Sequence, residues 1–181
     1  MAQRIYIFGA SGSGTTTLGK ALADELLYPW FDSDQFYWEN WPIDFLKKRE
    51  PRVREEKLNK ALLGKQDWIL SGSIDGWDSP LEQHFTHLIF LYLEPKERLR
   101  RLRLREIERF GETAIAPGGS QYEHAEYFLS WTAHYDDGTL PGRSLLRHHA
   151  WMNKIRRPLL KLNSSESVIN LVDCARHFLI P

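Results

Sequence analysis

The chain has 181 residues, with 24 Lys and Arg against 24 Asp and Glu, a formal net charge of zero and a single cysteine. That length builds one good core and falls short of two ordinary domains with a linker, so one domain over residues 1–181 is expected. Zero net charge excludes a global pull toward nucleic acid or acidic membranes, and no run approaches the roughly 20 apolar residues of a membrane helix. The lone Cys174 excludes an internal disulfide and a cysteine zinc site, and reads as an inert core thiol. With no signal-peptide pattern at the N-terminus, the expected setting is cytoplasmic.

In chain order, the β-branched and aromatic run over residues 4–8 predicts a strand that meets a Gly/Ser/Thr cluster. Helical periodicity follows over residues 16–27, with Leu18, Ala21, Leu22 and Leu26 on one face. Trp30 and Phe31 lead a second strand into Asp32. Residues 52–63 are periodic as a helix up to Gly64, and residues 67–70 give a third strand that ends on Ser71-Gly72-Ser73. The continuous apolar run over residues 87–93 predicts a strand buried on both faces of a parallel sheet. A strongly basic helix follows from Pro95 to about Arg109. Ser120 and Glu123 have capping-box spacing, which predicts a helix to about Tyr135. A further helix is expected from Pro141 or Gly142 to Ile155, then a strand over residues 158–162 and a closing helix over 166–178. Strands alternating with helices imply a parallel α/β sheet whose ligand site lies beyond the carboxyl ends of its strands.

Gly9-Ala10-Ser11-Gly12-Ser13-Gly14-Thr15-Thr16 has P-loop spacing, although Thr15 stands where lysine is usual. Glycines let the chain turn tightly and aim successive N–H groups into one concavity, and the following helix adds its positive end. Residues Gly9, Ser11, Gly12, Ser13, Gly14, Thr15, Thr16 and Thr17 are therefore the expected nucleotide-binding set, with the Thr16 hydroxyl placed for magnesium. The missing lysine would have neutralised phosphate charge, so arginines from elsewhere must supply it. Lys20, more than a turn into the helix, is poorly placed to do so.

GASGSGTTTLGKAL resembles the phosphate loop of the nucleoside monophosphate kinase superfamily, in which archaeal-type cytidylate kinases also read GSGTTT. The resemblance implies a three-layer P-loop fold with strand order 2-3-1-4-5, ATP or GTP with Mg2+, and transfer of the γ-phosphoryl group to a small-molecule acceptor. A different class of reading is a nucleotide-binding regulatory ATPase that lost efficient transfer with the lysine. Nucleic acid and membranes are not expected partners, and the assembly is expected to be a monomer or homodimer.

Asp32 and Asp34, two residues apart, would lie on one side of an extended segment, where one serves magnesium and the other an acceptor hydroxyl. The other reading of the pair is a turn or helix N-cap. Phe31-Asp32-Ser33-Asp34-Gln35 resembles the DSD segment of shikimate kinases, and the helix carrying Arg52 is similar to the one that supplies their acceptor-carboxylate arginine. The resemblance implies that Asp32 is associated with magnesium and that Asp34 and Arg52 contact the acceptor. Where that family has a triple-glycine turn this chain has Ser71-Gly72-Ser73, with Gly72 the remaining glycine offered to the acceptor.

Residues 93–105 resemble the entry to the lid of adenylate-kinase-like enzymes. Arg101 and Arg105, one helical turn apart, would project together, and Arg98, Arg100 and Arg103 form a solvated face. Arg143 and Arg147 repeat the spacing on the returning segment, and the resemblance implies that they gather with the first pair on the transferring phosphoryl group, in place of the loop lysine. Residues 106–142 between them would form a lid-like insertion. The histidines have no matching ligand set, so no metal site is assigned to them.

Overall fold

The computed structural model describes residues 2–42, 47–77 and 80–179. In chain order its elements are β1 (Arg4–Gly9), α1 (Thr15–Leu26), β2 (Trp30–Asp32), α2 (Ser33–Tyr37), α3 (Pro51–Leu62) and β3 (Trp68–Ser71). A 3-10 turn at Pro80–His84 precedes β4 (His87–Tyr92), α4 (Pro95–Phe110), α5 (Glu112–Ile115), α6 (Tyr122–Ala133), α7 (Leu145–Lys154), β5 (Leu159–Asn163) and α8 (Val168–Leu179). The strands form a parallel five-stranded sheet in the order β2-β3-β1-β4-β5, as the family resemblance implied. Register pairs Ile5 of β1 with Ile69 of β3 and His87 of β4, and Phe31 of β2 with Leu70 of β3. With β3 inserted between it and β2 and with β4 on its other side, β1 is the centre of the sheet and carries the glycine loop at its carboxyl end.

Backbone contacts divide the chain into two compact units. The first comprises the residues up to Gly9, Gly14–Leu91, and the chain from Arg156 onward. Its core joins Ile5, Ile7, Ile69, Ile89 and Leu91 of the sheet to Leu18, Leu22 and Ala23 of α1 and Leu171, Ala175 and Leu179 of α8. Three- and four-residue steps along both helices put these side chains on one face, so each helix covers the sheet with a continuous apolar stripe. Helix α1 comes close: a Cβ at Gly19 would lie 2.6 Å from Trp30 Nε1 and 3.0 Å from Ser71 Cβ. Only glycine admits that approach.

The second unit holds Ala10–Ser13 and Tyr92–Ile155. Leu102, Ile115, Ala125, Tyr135 and Met152 are buried there, together with the charged side chain of Arg98. No helix among the described residues is long and apolar enough to cross a membrane.

Several expectations need correction. The capping box at Ser120 and Glu123 does not form, since α6 starts at Tyr122 with Gln121 as cap and without a side-chain cap bond. Helix α7 starts later than Pro141, because the Ser144 hydroxyl accepts from the Arg147 N–H and fixes the first turn there. Cys174 is exposed, not in the core, because Leu171, Ala175 and Leu179 take the inner face of α8 and turn Cys174 outward.

The stripe of α1 generates a stability prediction. Leu22 is fully buried between helix and sheet, so Leu22→Ala should cost about 2–5 kcal/mol. Urea unfolding would show a lower midpoint with an unchanged slope; a shift under 1 kcal/mol would contradict this packing.

Candidate functional site

The glycine loop has two left-handed residues, Gly12 at φ 82° and Gly14 at φ 89°. Their placement differs in cause. A Cβ on Gly12 would collide with Leu102 Cγ at 2.8 Å and the Arg98 carbonyl oxygen at 2.9 Å, so the second unit itself forbids a side chain. Gly14 has open space around it and is set by backbone conformation alone, as the N-terminal cap of α1. It supplies no side-chain cap bond, so the first-turn N–H groups of α1 are left for another acceptor. Ser13 is wholly buried, donates its N–H to the Ala10 carbonyl at 3.1 Å, and keeps a hydroxyl with no partner. Thr15 opens α1 where lysine was expected, and Thr17 is exposed. Lys20 is turned onto the Trp30 ring, 5.0 Å from its centroid.

At the carboxyl end of β2 the Asp32 carboxylate is only 4% exposed. One of its oxygens accepts the Thr16 hydroxyl at 2.8 Å and the other accepts the Asp34 N–H at 3.0 Å. Asp32 is therefore the N-cap of α2, and Asp34 lies in that helix's first turn, not beside it on an extended strand. The short helix escaped the sequence reading because five residues carry no periodicity. Burial raises the Asp32 carboxyl above the usual carboxylate range, against the lowering effects of the Asp34 N–H, the Thr16 hydroxyl and the Lys20 charge. A hydroxyl and a carboxylate in contact are hard oxygen donors suited to Mg2+, which commonly takes one or two protein ligands and leaves the rest to water and phosphate.

Gly72 packs directly on this corner. At φ 108°, a Cβ there would lie 2.1 Å from Ser33 Oγ and 3.3 Å from Asp32 Oδ1. The Ser33 hydroxyl accepts the Ser73 N–H at 2.8 Å, while the Tyr6 hydroxyl donates to the Gly72 carbonyl and accepts the Ile74 N–H. The turn after β3 is thus clamped to the start of α2.

On α3, Arg52 is 89% exposed at its side chain and paired with Glu56, one turn along the same helix. Arg54 is the buried arginine, 7% exposed. Its guanidinium lies 5.0 Å from the Tyr37 ring centroid and 4.8 Å from that of Trp77, and Nη2 donates to the Gly76 carbonyl at 3.2 Å. Its Nε has no hydrogen-bond partner among the described residues. The signal for Arg54 was present in the sequence: it stands four residues before buried Leu58, on the same helix face.

The four expected catalytic arginines have different surroundings. Arg101 bonds Glu97 at 3.1 Å, and Arg100 and Arg101 together hold the Glu97 carboxyl down to about 2. Arg105 lies 3.4 Å from Glu106 and 5.4 Å from the Phe128 ring centroid. Arg147 is exposed in the first turn of α7. Arg143 reaches the loop, donating from Nη2 to the Ser11 hydroxyl at 2.6 Å and lying 5.9 Å from the centroid of Trp131. Arg98 overturns the solvated-face expectation. It is 0% exposed, donates to the Thr132 carbonyl at 2.9 Å, pairs with Asp136 and lies over Tyr135.

Comparison with known proteins places this geometry. A family model described as an AAA domain matches residues 5–116. "Uncharacterized protein YqaC" of Bacillus subtilis (strain 168) is 41% identical over 173 residues, 96% of this chain and 95% of that one. Among solved structures, shikimate kinase from Bacteroides thetaiotaomicron superposes with a TM-score of 0.57 at 18% identity, covering 99% of both chains. A gluconokinase from Sinorhizobium meliloti 1021 superposes with a TM-score of 0.58 at 15% identity, covering 98% of this chain and 91% of that one. The two structural likenesses establish the P-loop kinase fold.

Asp32 yields a prediction in pH. Its folded carboxyl titrates above its unfolded value, so stability is greatest with Asp32 protonated and falls as pH rises through the folded pKa. Asp32→Asn removes the cost of the buried charge and should raise the melting temperature at pH 7. The gain should shrink as pH drops through the carboxylate range. A melting temperature lower than wild type at pH 7 and equal to it at pH 3 would refute this.

Proposed function

The chain belongs to the AAA domain family, and from that premise we propose that it is an ATP-dependent phosphotransferase acting on a small molecule. The observation that carries this reading is the 2.8 Å contact between the Thr16 hydroxyl and the buried Asp32 carboxylate beside the glycine loop. That pair suits a magnesium ion shared with nucleotide phosphates, and the loop's backbone geometry suits the phosphates themselves. ATP or GTP would be received by residues Gly9, Ser11, Gly12, Ser13, Gly14, Thr15, Thr16 and Thr17.

With Thr15 in the lysine position, cationic charge must come from another side chain. Arg143 is the favoured source because it already bonds Ser11 within the loop. Arg101, Arg105 and Arg147 would add charge to the transferring phosphoryl group, with residues 106–142 as a water-excluding insertion. Bound Mg2+ would supply further neutralisation of phosphate charge.

On the acceptor side, Asp34 offers a hydrogen-bond acceptor to a hydroxyl, and Gly72 supports the corner. Arg54 takes the anion-contacting role in place of Arg52. It is buried against Tyr37 and Trp77 with an unused Nε donor, whereas Arg52 is turned to solvent and paired with Glu56. The acceptor is then a small hydroxylated molecule bearing an anionic group. A second reading, a nucleotide-binding regulator with little transfer, draws on Thr15 alone.

Calorimetry with ATP and GTP in Mg2+, beside ADP release over a panel of nucleotides and small hydroxy acids, separates the two. Acceptor-dependent release supports the kinase; tight binding without it supports the regulator. In the active assay Arg143→Ala should lower turnover about 100- to 1000-fold, the usual size for losing a charge-stabilising donor. Arg54→Met should raise the acceptor KM at least tenfold while Arg52→Met changes it less than twofold, and the reverse order would return the role to Arg52.

A further inference from the structure

Within the second unit, the contacts of Arg98 and Arg143 form a closed circuit that begins and ends on adjacent loop residues. The carbonyl oxygen and Cγ of Arg98 form the wall against which Gly12 packs, leaving no room for a Cβ. The Arg98 guanidinium fastens the end of α6 through the Thr132 carbonyl, the following turn through Asp136, and the ring of Tyr135 through a cation-π contact at 5.2 Å. Tyr135 in turn fastens the start of α7. Its carbonyl accepts the Leu145 N–H at 2.8 Å, and its hydroxyl bonds His148 Nδ1 at 2.7 Å. Two residues before Leu145 stands Arg143, whose guanidinium returns to Ser11, next to Gly12.

A cavity of about 10 Å³, room for one water molecule, is lined by Ser11, Arg98, Trp131, Thr132, Tyr135 and Arg143. The two arginines thus border one space. Burying a guanidinium completely is costly unless its bonds are made, and here two of its nitrogens are engaged while Nε has no partner. A surface arginine would have given α4 the same charge without that cost.

We propose that Arg98 is a positioning residue: through Asp136 and Tyr135 it holds Arg143 against Ser11 of the phosphate loop, and through its backbone it packs on Gly12, the next residue of that loop. This rests on the reading of Arg143 as the substitute for the loop lysine. Arg98 touches no phosphate in it. Its effect on the nucleotide passes through Arg143.

Two arms test it. In the nucleotide-free protein, hydrogen exchange of Arg98→Lys should accelerate about tenfold at the Ser13 and Leu145 amides together, with the α1 amide of Leu18 unchanged. Unchanged exchange at both would overturn the circuit. The second arm measures ADP and a non-hydrolysable ATP analogue by calorimetry with Mg2+ in wild type, Arg98→Lys, Arg143→Ala and the double variant. Each single change should weaken the triphosphate analogue about tenfold more than ADP, and the double variant should lose no more than Arg143→Ala alone. Additive losses would overturn the proposal, because Arg98 would then act independently of Arg143. If the wild type binds neither nucleotide, the kinase reading falls while the exchange arm still decides the circuit. Should Arg98→Lys fail to fold, Tyr135→Phe removes only the hydroxyl bonded to His148. It should shift both readouts in the same direction about threefold, and no shift would refute the route through Tyr135.

Discussion

A carboxylate held almost out of solvent at the end of β2 organises the first unit. Asp32 is tolerated there because each oxygen has a donor, the Thr16 hydroxyl on one side and the Asp34 N–H on the other. Those two bonds dictate their surroundings. Accepting the Asp34 N–H makes Asp32 a helix cap and starts α2 at the next residue. Ser33 is thereby turned toward the third strand, where it receives the Ser73 N–H and leaves no space for a side chain at Gly72. Accepting the Thr16 hydroxyl brings α1 down onto the same corner, and Gly19 is the concession to that closeness. Even so, the balance is unfavourable to the charge, since burial outweighs the bonds and raises the carboxyl. Asparagine could cap the helix without that cost, and the negative charge is what the magnesium role proposed for Asp32 would use.

Each unit also buries one arginine against aromatic faces, and the two solutions differ. Arg54 lies by Tyr37 and Trp77 and donates to the Gly76 carbonyl. Its Nε has no hydrogen-bond partner among the described residues, a donor that the proposed anion contact would use. Arg98 is different. Asp136 neutralises it and Thr132 and Tyr135 complete its surroundings, so it has structural work and little charge to offer a ligand. Chemically identical side chains thus differ in what holds them: a carboxylate, a carbonyl and a ring for Arg98, a carbonyl and two rings for Arg54.

The strands and the loop were legible because each rests on a local signal, β-branched runs, glycine spacing and alternation with helices, whereas the strand order came from the family resemblance alone. The arginines were less so. Four-residue spacing correctly says that Arg101 and Arg105 share a helix face, but it does not say which face turns inward. On α4 the inward face is marked by Leu102, buried, with Arg98 and Glu106 one turn to either side. The same rule singles out Arg54 from Arg52 on α3, through Leu58. Reading apolar anchors first and charges second would have found both. Cys174 failed for the complementary reason: apolar type suggested the core, while its neighbours Leu171 and Ala175 already occupied the inner face of α8. The start of α2 had no periodic signal at all, and its origin in a side chain capping a backbone N–H lies below the scale that periodicity reads.

With Thr15 in the lysine position, the proposed kinase reading requires phosphate charge to be met from elsewhere than α1. A lysine in the loop is carried by α1 and belongs to the sheet; an arginine at position 143 is carried by the turn before α7. Its bond to Ser11 means that the cation reaches the loop through a residue the loop itself supplies. Such an arginine is only as well placed as the segment that carries it. A flexible segment would lose the advantage of preorganised charge, on which electrostatic stabilisation of phosphoryl transfer depends. The serine cap of α7, the two bonds from Tyr135 and the buried ion pair beneath it all constrain the chain within a few residues of Arg143. A short helix start on a surface connection needs less fastening than this, and the surplus is what the role proposed for Arg143 would require.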